Sequence, residues 1–396
     1  MFLPLLRIFA NFVHLLKMLH FSSTAVYKVK KLIIQSDCSV YRIVGKKRLF
    51  IYTQFHRDIN NYNYIYNIMS IFIDTLKGQK TNPTPVWLMR QAGRHLPEYI
   101  TIRKRFGDLM DMFLDPLTIL EVSMQPVKRY GMDACIVFSD ILITPLAAGS
   151  TVSFIEGQGP IIKFNEDINY NPEKTLPLAT GIKKIKENTN VPLIGFAGGV
   201  WTTLFYCLYE KNERQKLKPE DVIKKTSQID NLIEQMTHAI IQHAEMQINC
   251  GIDAFQIFES AAEHLNDEQF DKWCIQPTRK IIESIKKIKD IPVIGFPRNT
   301  NLVCYKKYSN IDKLDCVTLD YNFPLDKIYE LNDKIVFQGN LDPKHLLKDS
   351  KNLSQKIEEI LFAFRERPHI FNLGHGVLPE TSIEKVKQML SQIRSK

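Results

Sequence analysis

From about residue 84 onward one pattern recurs and limits the folds open to the chain: a short, continuously apolar run, a polar or glycine-bearing turn, then a longer helical stretch. Eight such runs stand at residues 86–90, 133–140, 191–198, 253–259, 292–297, 316–320, 334–340 and 369–374. Unbroken rather than alternating hydrophobicity suits a strand covered on both faces, which predicts a parallel sheet wrapped by helices. The clearest helix is predicted over residues 220–250, where Val222, Ile223, Ile229, Leu232, Ile233, Met236, Ile240 and Ile241 fall near a 3.6-residue period and Gly251 is placed to end it. Residues 115–129, 269–288 and 382–393 repeat the helical signal.

Eight strand–helix units predict a single α/β domain, a TIM-type (β/α)8 barrel over residues 71–396. A doubly wound open sheet has the same period and stays open at this level. The polar residues favour the barrel, because they gather at the carboxyl ends of the runs: Arg90, Asp140, Glu259 with Ser260, Arg298, Asp320, Asn340 with Asp342, and His375. In a barrel all of these ends converge on one mouth, where such folds carry their sites. With 44% hydrophobic and 24% charged residues, the chain has ample material for one large core.

The formal charge of +9 is unevenly spread. Residues 1–70 hold ten Lys/Arg against Asp37 and Asp58, which is +8, so residues 71–396 carry only +1. A near-neutral body without a helix-turn-helix or an aromatic RNA-binding strand argues against nucleic acid as a partner. The seven cysteines are scattered and never spaced Cys-x-x-Cys, which fits buried or reduced thiols and neither a disulfide framework nor a zinc finger. Residues 1–19 are apolar but broken by Arg7 and Lys17, short of the roughly 20 residues that span a bilayer, so no stable membrane insertion is expected.

The string PVWLMRQAGR at residues 85–94 is the most informative segment, since two arginines four residues apart offer planar forks for carboxylates or phosphates. An ordinary surface pair would look the same in isolation. With its continuation HLPEY (95–99), and with FSDIL (138–142), EGQGP (156–160), GFAGGVWT (195–202), QIFESAAEHL (256–265), QGNLDP (338–343) and FNLGHGVLP (371–379) following in order, the chain resembles the uroporphyrinogen decarboxylase family over about residues 76–393. Two places depart from the family pattern. Val200 stands where proline is usual and is expected to loosen the turn before Trp201, and Arg298-Asn299 stand where a lysine–glycine pair is usual.

The resemblance implies cofactor-free decarboxylation of the four acetates of uroporphyrinogen III to methyls, giving coproporphyrinogen III, in heme and porphyrin synthesis. It implies Arg90 and Arg94 as carboxylate binders, Asp140 as central acceptor, Tyr206 and Ser260 as polar wall, Phe196 and Phe258 as apolar wall, and His375 at the far rim. Asp140, Arg90 and His375 are the expected catalytic residues, and a homodimer the expected assembly. The bland alternatives are a helix-capping Asp140, a loop His375 without a partner, and His238 and His243 as plain helix residues. The substrate carries eight carboxylates, so fixed cations are required, and its own pyrrole can accept the electrons released with carbon dioxide. No metal and no organic cofactor is therefore expected.

Other functions compete. A cobalamin-linked methyltransferase barrel would use a His-x-Cys metal motif, and none of the ten histidines has Cys two positions on. A tetrapyrrole-binding scaffold that has lost activity is the other alternative. Residues 1–70, an apolar start followed by a basic, acid-poor stretch, resemble the two-part leaders that apicomplexan parasites use to reach the plastid (apicoplast). A mitochondrial presequence, or a cytoplasmic extension without an address, is the alternative.

Overall fold

Seven parallel strands form where the apolar runs stand: β1 (Cys135–Ile136), β4 (Leu193–Gly198), β5 (Ala254–Glu259), β6 (Val293–Pro297), β7 (Cys316–Thr318), β8 (Val336–Leu341) and β9 (His369–Leu373), paired in the order β1-β4-β5-β6-β7-β8-β9. The computed structural model describes residues 70–155, 159–214, 216, 221 and 228–395, all within the unit Tyr66–Lys396. The eighth place is filled by residues 85–89. Phe371 donates its amide to Pro85 O at 2.8 Å and Asp133 donates to Val86 O at 3.0 Å, so this segment joins β9 to the residues before β1 and makes a TIM-type (β/α)8 barrel.

The run at 86–90 was expected as a strand, and only Val86 forms a bridge there, with Phe371. Side chains take over its remaining backbone donors: Leu88 N bonds Gln91 Oε1 at 3.1 Å and Met89 N bonds Asn372 Oδ1 at 3.0 Å. The chain is thereby freed to turn at Arg90. An antiparallel hairpin of β2 (Thr151–Ile155) and β3 (Gly159–Lys163) brackets the glycine-bearing string at 156–160. Residues 156–158 of that string lie outside the described residues.

Inside the barrel, Trp87, Ile194, Ala254, Ile294, Cys316, Val336 and Ile370 pack together, and Phe72 and Leu76 of the short helix Ile71–Leu76 join the same cluster. Both of these side chains are buried, worth roughly 2 kcal/mol each in transfer terms. The barrel therefore includes residues just before 76, where the family resemblance was first legible. A fully buried polar layer crosses the interior: Trp87 Nε1 donates to Gln338 Oε1 at 2.7 Å, and Gln338 Nε2 donates to Thr318 Oγ1 at 2.8 Å. With each group partnered, burial costs little.

Helices form where the period predicts them, and their ends follow capping chemistry. Pro116–Tyr130 starts from Asp115, whose Oδ1 accepts from Thr118 N at 2.8 Å, and stops at Gly131 with φ 62°. The long helix runs Ile229–Asn249, ending before Gly251 at φ 98°. Its expected start, with Val222 and Ile223, lies outside the described residues. Residues 269–288 pass through a π-turn at Asp271–Ile275 before Gln276–Ile288, and the last helix is Ile383–Arg394. Residues 1–69 of the expected leader also lie outside the described residues. No described helix is long and apolar enough to cross a membrane, and the six described cysteines are unpaired.

Candidate active site

The turn after residue 89 is built to present Arg90. Gln91 is buried and clamps it, accepting from Leu88 N and donating Nε2 to Ala134 O at 3.1 Å. Arg90 itself takes φ 58°, a left-handed conformation that costs a non-glycine residue of order 1–3 kcal/mol and persists only where the surroundings impose it. Its stem lies over Gly376, where a Cβ would come within 2.4 Å of Arg90 Cδ. The 375–377 loop is tied down beside it, Val377 N bonding Met89 O at 2.9 Å. Glycine at 376 is thus what lets Arg90 and His375 share one place.

Asp140 follows β1 and has two oxygens with different fates. Oδ1 accepts from Leu142 N at 2.9 Å, holding the turn into helix Ile143–Ala147, while Oδ2 has no hydrogen-bond partner among the described residues. Asp140 thus braces the turn before the helix, whose N-cap is Leu142 with no side-chain cap, and one acceptor remains. Burial pushes the Asp140 carboxyl up, opposed by the Leu142 amide and by the Arg90 guanidinium. Yet the residue is not closed off from solvent. His375 stands on the same charge network: burial, Arg298 and Arg90 hold its ring down to about 4, with Asp342 a weaker opposing influence. It is neutral at pH 7, which removes it as a ready imidazolium acid.

Aromatic residues floor this mouth. Phe196 on β4 meets Phe258 on β5 edge to face at 5.5 Å, and Phe258 meets Phe296 on β6 at 6.4 Å. Ser260 follows β5, is partly exposed and makes no side-chain hydrogen bond to the described residues. Tyr206 lies on helix Val200–Leu208 with the Arg214 guanidinium 4.4 Å over its ring, a cation that sequence reasoning did not single out. Arg94 is exposed on the turn after Gln91, where its charge, with that of Arg103, opposes the rise that burial gives the Tyr99 hydroxyl. Of the expected residues, Arg90 acts electrostatically on both Asp140 and His375.

Other strand-end polar groups serve the scaffold. Asp320 accepts from Asn299 N at 2.8 Å, Tyr305 Oη at 2.9 Å and Asn322 N at 2.7 Å. Asn340 Nδ2 donates to Asp320 O and Phe323 O, and Asp342 accepts from Lys344 N. Val200 does not loosen its turn as expected: helix Val200–Leu208 begins there, Val200 is buried, and Trp201 Nε1 donates to Ala261 O at 3.0 Å while its ring stacks on Trp273. That packing supplies the order a proline would have imposed.

Glu259 is fully buried beneath Gly199, its Oε1 accepting from Thr202 N at 2.7 Å and from Thr202 Oγ1. Thr202 Oγ1 in turn accepts from Ala261 N at 3.0 Å, so this carboxyl fastens the turn carrying Ser260 to the helix carrying Tyr206. Burial raises Glu259 from 4.5 to about 7 in spite of these bonds. A raised carboxyl pKa means that the folded chain keeps a proton which the unfolded chain has lost, so the associated stability is full below about 4.5 and is lost as pH rises through 7. Glu259→Gln cannot titrate and is expected to flatten the fall in thermal stability between about pH 4.5 and 7, by up to ~3 kcal/mol. A melting profile with the parent's slope would dismiss Glu259 as the source.

Comparison with known proteins agrees with the barrel. A family model described as uroporphyrinogen decarboxylase (URO-D) matches residues 69–395. The uroporphyrinogen decarboxylase of Rickettsia massiliae (strain Mtu5) is 38% identical over 337 residues, covering 82% of this chain and 97% of its own. That of Wolbachia sp. subsp. Brugia malayi (strain TRS) is 38% identical over 328 residues, 81% and 93% of the two chains. Among solved structures, a methyltransferase from Methanosarcina mazei superposes with TM-score 0.67 at 15% identity, over 82% of this chain and 97% of its own. At that identity the likeness speaks for the fold alone.

Proposed function

The chain belongs to the uroporphyrinogen decarboxylase family, and from that premise we propose that it removes the four acetate carboxyls of uroporphyrinogen III as carbon dioxide, leaving methyls and giving coproporphyrinogen III. The observation that carries this reading is an acceptor with no hydrogen-bond partner among the described residues, Asp140 Oδ2, at a strand end where the Arg90 charge favours its ionised form. Asp140 accepts hydrogen bonds from pyrrole N–H groups, and Arg90 and Arg94 bind peripheral carboxylates. Phe196 and Phe258 pack against the macrocycle, with Ser260 and Tyr206 as polar contacts and His375 at the rim.

Each turn of the reaction consumes one proton. It adds first to the ring carbon next to the one that bears the acetate, and the pyrrole becomes a cation whose charge reaches the acetate-bearing carbon. The bond between the acetate methylene and its carboxylate then breaks, its electron pair flows into the ring, and carbon dioxide leaves. Protonation of the methylene carbon and loss of the ring proton complete the methyl. The Asp140 charge stabilises the cationic ring in a preorganised way. For the first proton, His375 is held neutral by burial and by two arginines, which leaves Arg90 to deliver it, directly or through a water that it holds.

Incubating the purified protein anaerobically with uroporphyrinogen III and counting product carboxyls tests this. Products with seven down to four carboxyls are expected. Tight binding without any loss of carboxyls would instead favour a binding scaffold. We propose further that residues 1–70 address the protein to a plastid and that the barrel works as a homodimer. The charge partition, +8 of the formal +9 in residues 1–70, supports the address. A fluorescent protein fused behind residues 1–70 is expected in the plastid, and retention in the cytosol would refute it.

A further inference from the structure

Arg298 belongs to no expected role, yet its position, its surroundings and its unpaired donor converge. It directly follows β6, and the two-residue alternation puts it on the side of Ile294 and Phe296, which face the barrel interior. The strand order closes through Val86, so β6 stands four places from the segment carrying Arg90 in either direction round the ring of eight. The two arginines thus come from opposite walls. Both nevertheless stand at the carboxyl ends of their segments, hence at the same end of the barrel, and both charges help to hold the His375 ring down.

The loop after β6 holds Arg298 in place before any ligand arrives. Its amide bonds Glu259 O at 3.1 Å, and Asn299, at φ 56°, is pinned through its own amide to Asp320 Oδ2 at 2.8 Å and through Nδ2 to Glu263 Oε2 at 2.5 Å. The guanidinium stays unused. Its Nε is buried without a hydrogen-bond partner, and Arg298 forms no ion pair with the described residues. A desolvated guanidinium N–H left unpaired is costly, and a carboxylate is the partner its fork fits.

We propose that Arg298 binds a carboxylate of the tetrapyrrole on the wall opposite Arg90. The inference rests on the decarboxylase reading. A macrocycle with carboxylates around its whole rim cannot be centred over Asp140 by cations on one wall alone, because one-sided attraction draws it off the axis. Arg298 supplies the counterpart and positions the ring without taking part in proton transfer.

The test uses the full chain with Arg298→Gln and Arg298→Lys, measuring kcat and KM for uroporphyrinogen beside thermal midpoints. For Gln, KM is expected to rise about 10-fold or more with kcat within about 3-fold. Lys is expected to recover part of the loss, since it keeps the charge but not the planar fork. A KM unchanged in both variants overturns the inference while the activity stands. Absence of turnover in the parent overturns the decarboxylase reading and the inference with it. If Gln fails to fold, Lys decides: a parental KM in a stable Lys variant with lowered kcat would assign Arg298 to chemistry or packing and defeat the proposal.

Discussion

Asp140→Asn is expected to keep the parent's melting temperature and to lose at least ~100-fold in kcat, the scale of a preorganised electrostatic contribution. The two oxygens of Asp140 make the substitution discriminating. The asparagine Oδ1 can keep accepting from Leu142 N, the 2.9 Å bond that holds the turn, and Asn caps such turns about as well as Asp. The amide NH2 then faces the mouth, where Oδ2 had offered an unpaired acceptor. Size and turn are preserved, while the negative charge and the open acceptor are both gone. Because burial raises the parent's carboxyl, its charged form, and with it turnover, should be lost on acidification at a higher pH than for an exposed aspartate. Equal rates and equal melting temperatures would make Asp140 a turn residue only.

Arg90→Lys is the second large effect, a loss on the order of 2–4 kcal/mol in transition-state terms although charge is conserved. The contact over Gly376 involves the Cγ and Cδ methylenes, which lysine also has, so the stem still fits. The left-handed backbone at φ 58° burdens either residue alike. What the variant lacks is the planar fork, which can hold a carboxylate through two bonds or a carboxylate and a water together. Single-turnover rates with the octacarboxylate read this directly, with melting temperature as control. A rate within a few-fold of the parent's would take Arg90 out of the chemistry.

Much of the fold was legible because strands covered on both faces must be apolar throughout, and all eight runs stand at the ring positions. The exception in kind, 86–90, failed as a strand for a reason invisible in a hydrophobicity pattern. Gln91 and Asn372 satisfy its backbone, and apolar content says nothing about where an amide finds its partner. In the candidate site, Arg90, Asp140 and His375 were all read from strand-end position and family resemblance. Arg298 stood at a strand end too, but only as a departure from the family pattern. Nothing along the chain distinguished it from Asp320 or Asn340, which hold the scaffold together.

The sequence by itself determined the strand–helix period, the mouth-forming strand ends and the family, since these depend on residue type and spacing along the chain. Only the tertiary structure decided which strand-end polar groups are spent on the scaffold and which remain open. Glu259 Oε1 and Asp320 Oδ2 find donors on other segments, whereas Asp140 Oδ2 and Arg298 Nε find none among the described residues. The reason is physical: a polar group's role depends on whether folding brings it a partner, and its charge state on the burial and charges that folding sets around it. His375 shows the second case, an expected catalytic residue by sequence, held neutral by burial and by two arginines that folding brings together from opposite walls.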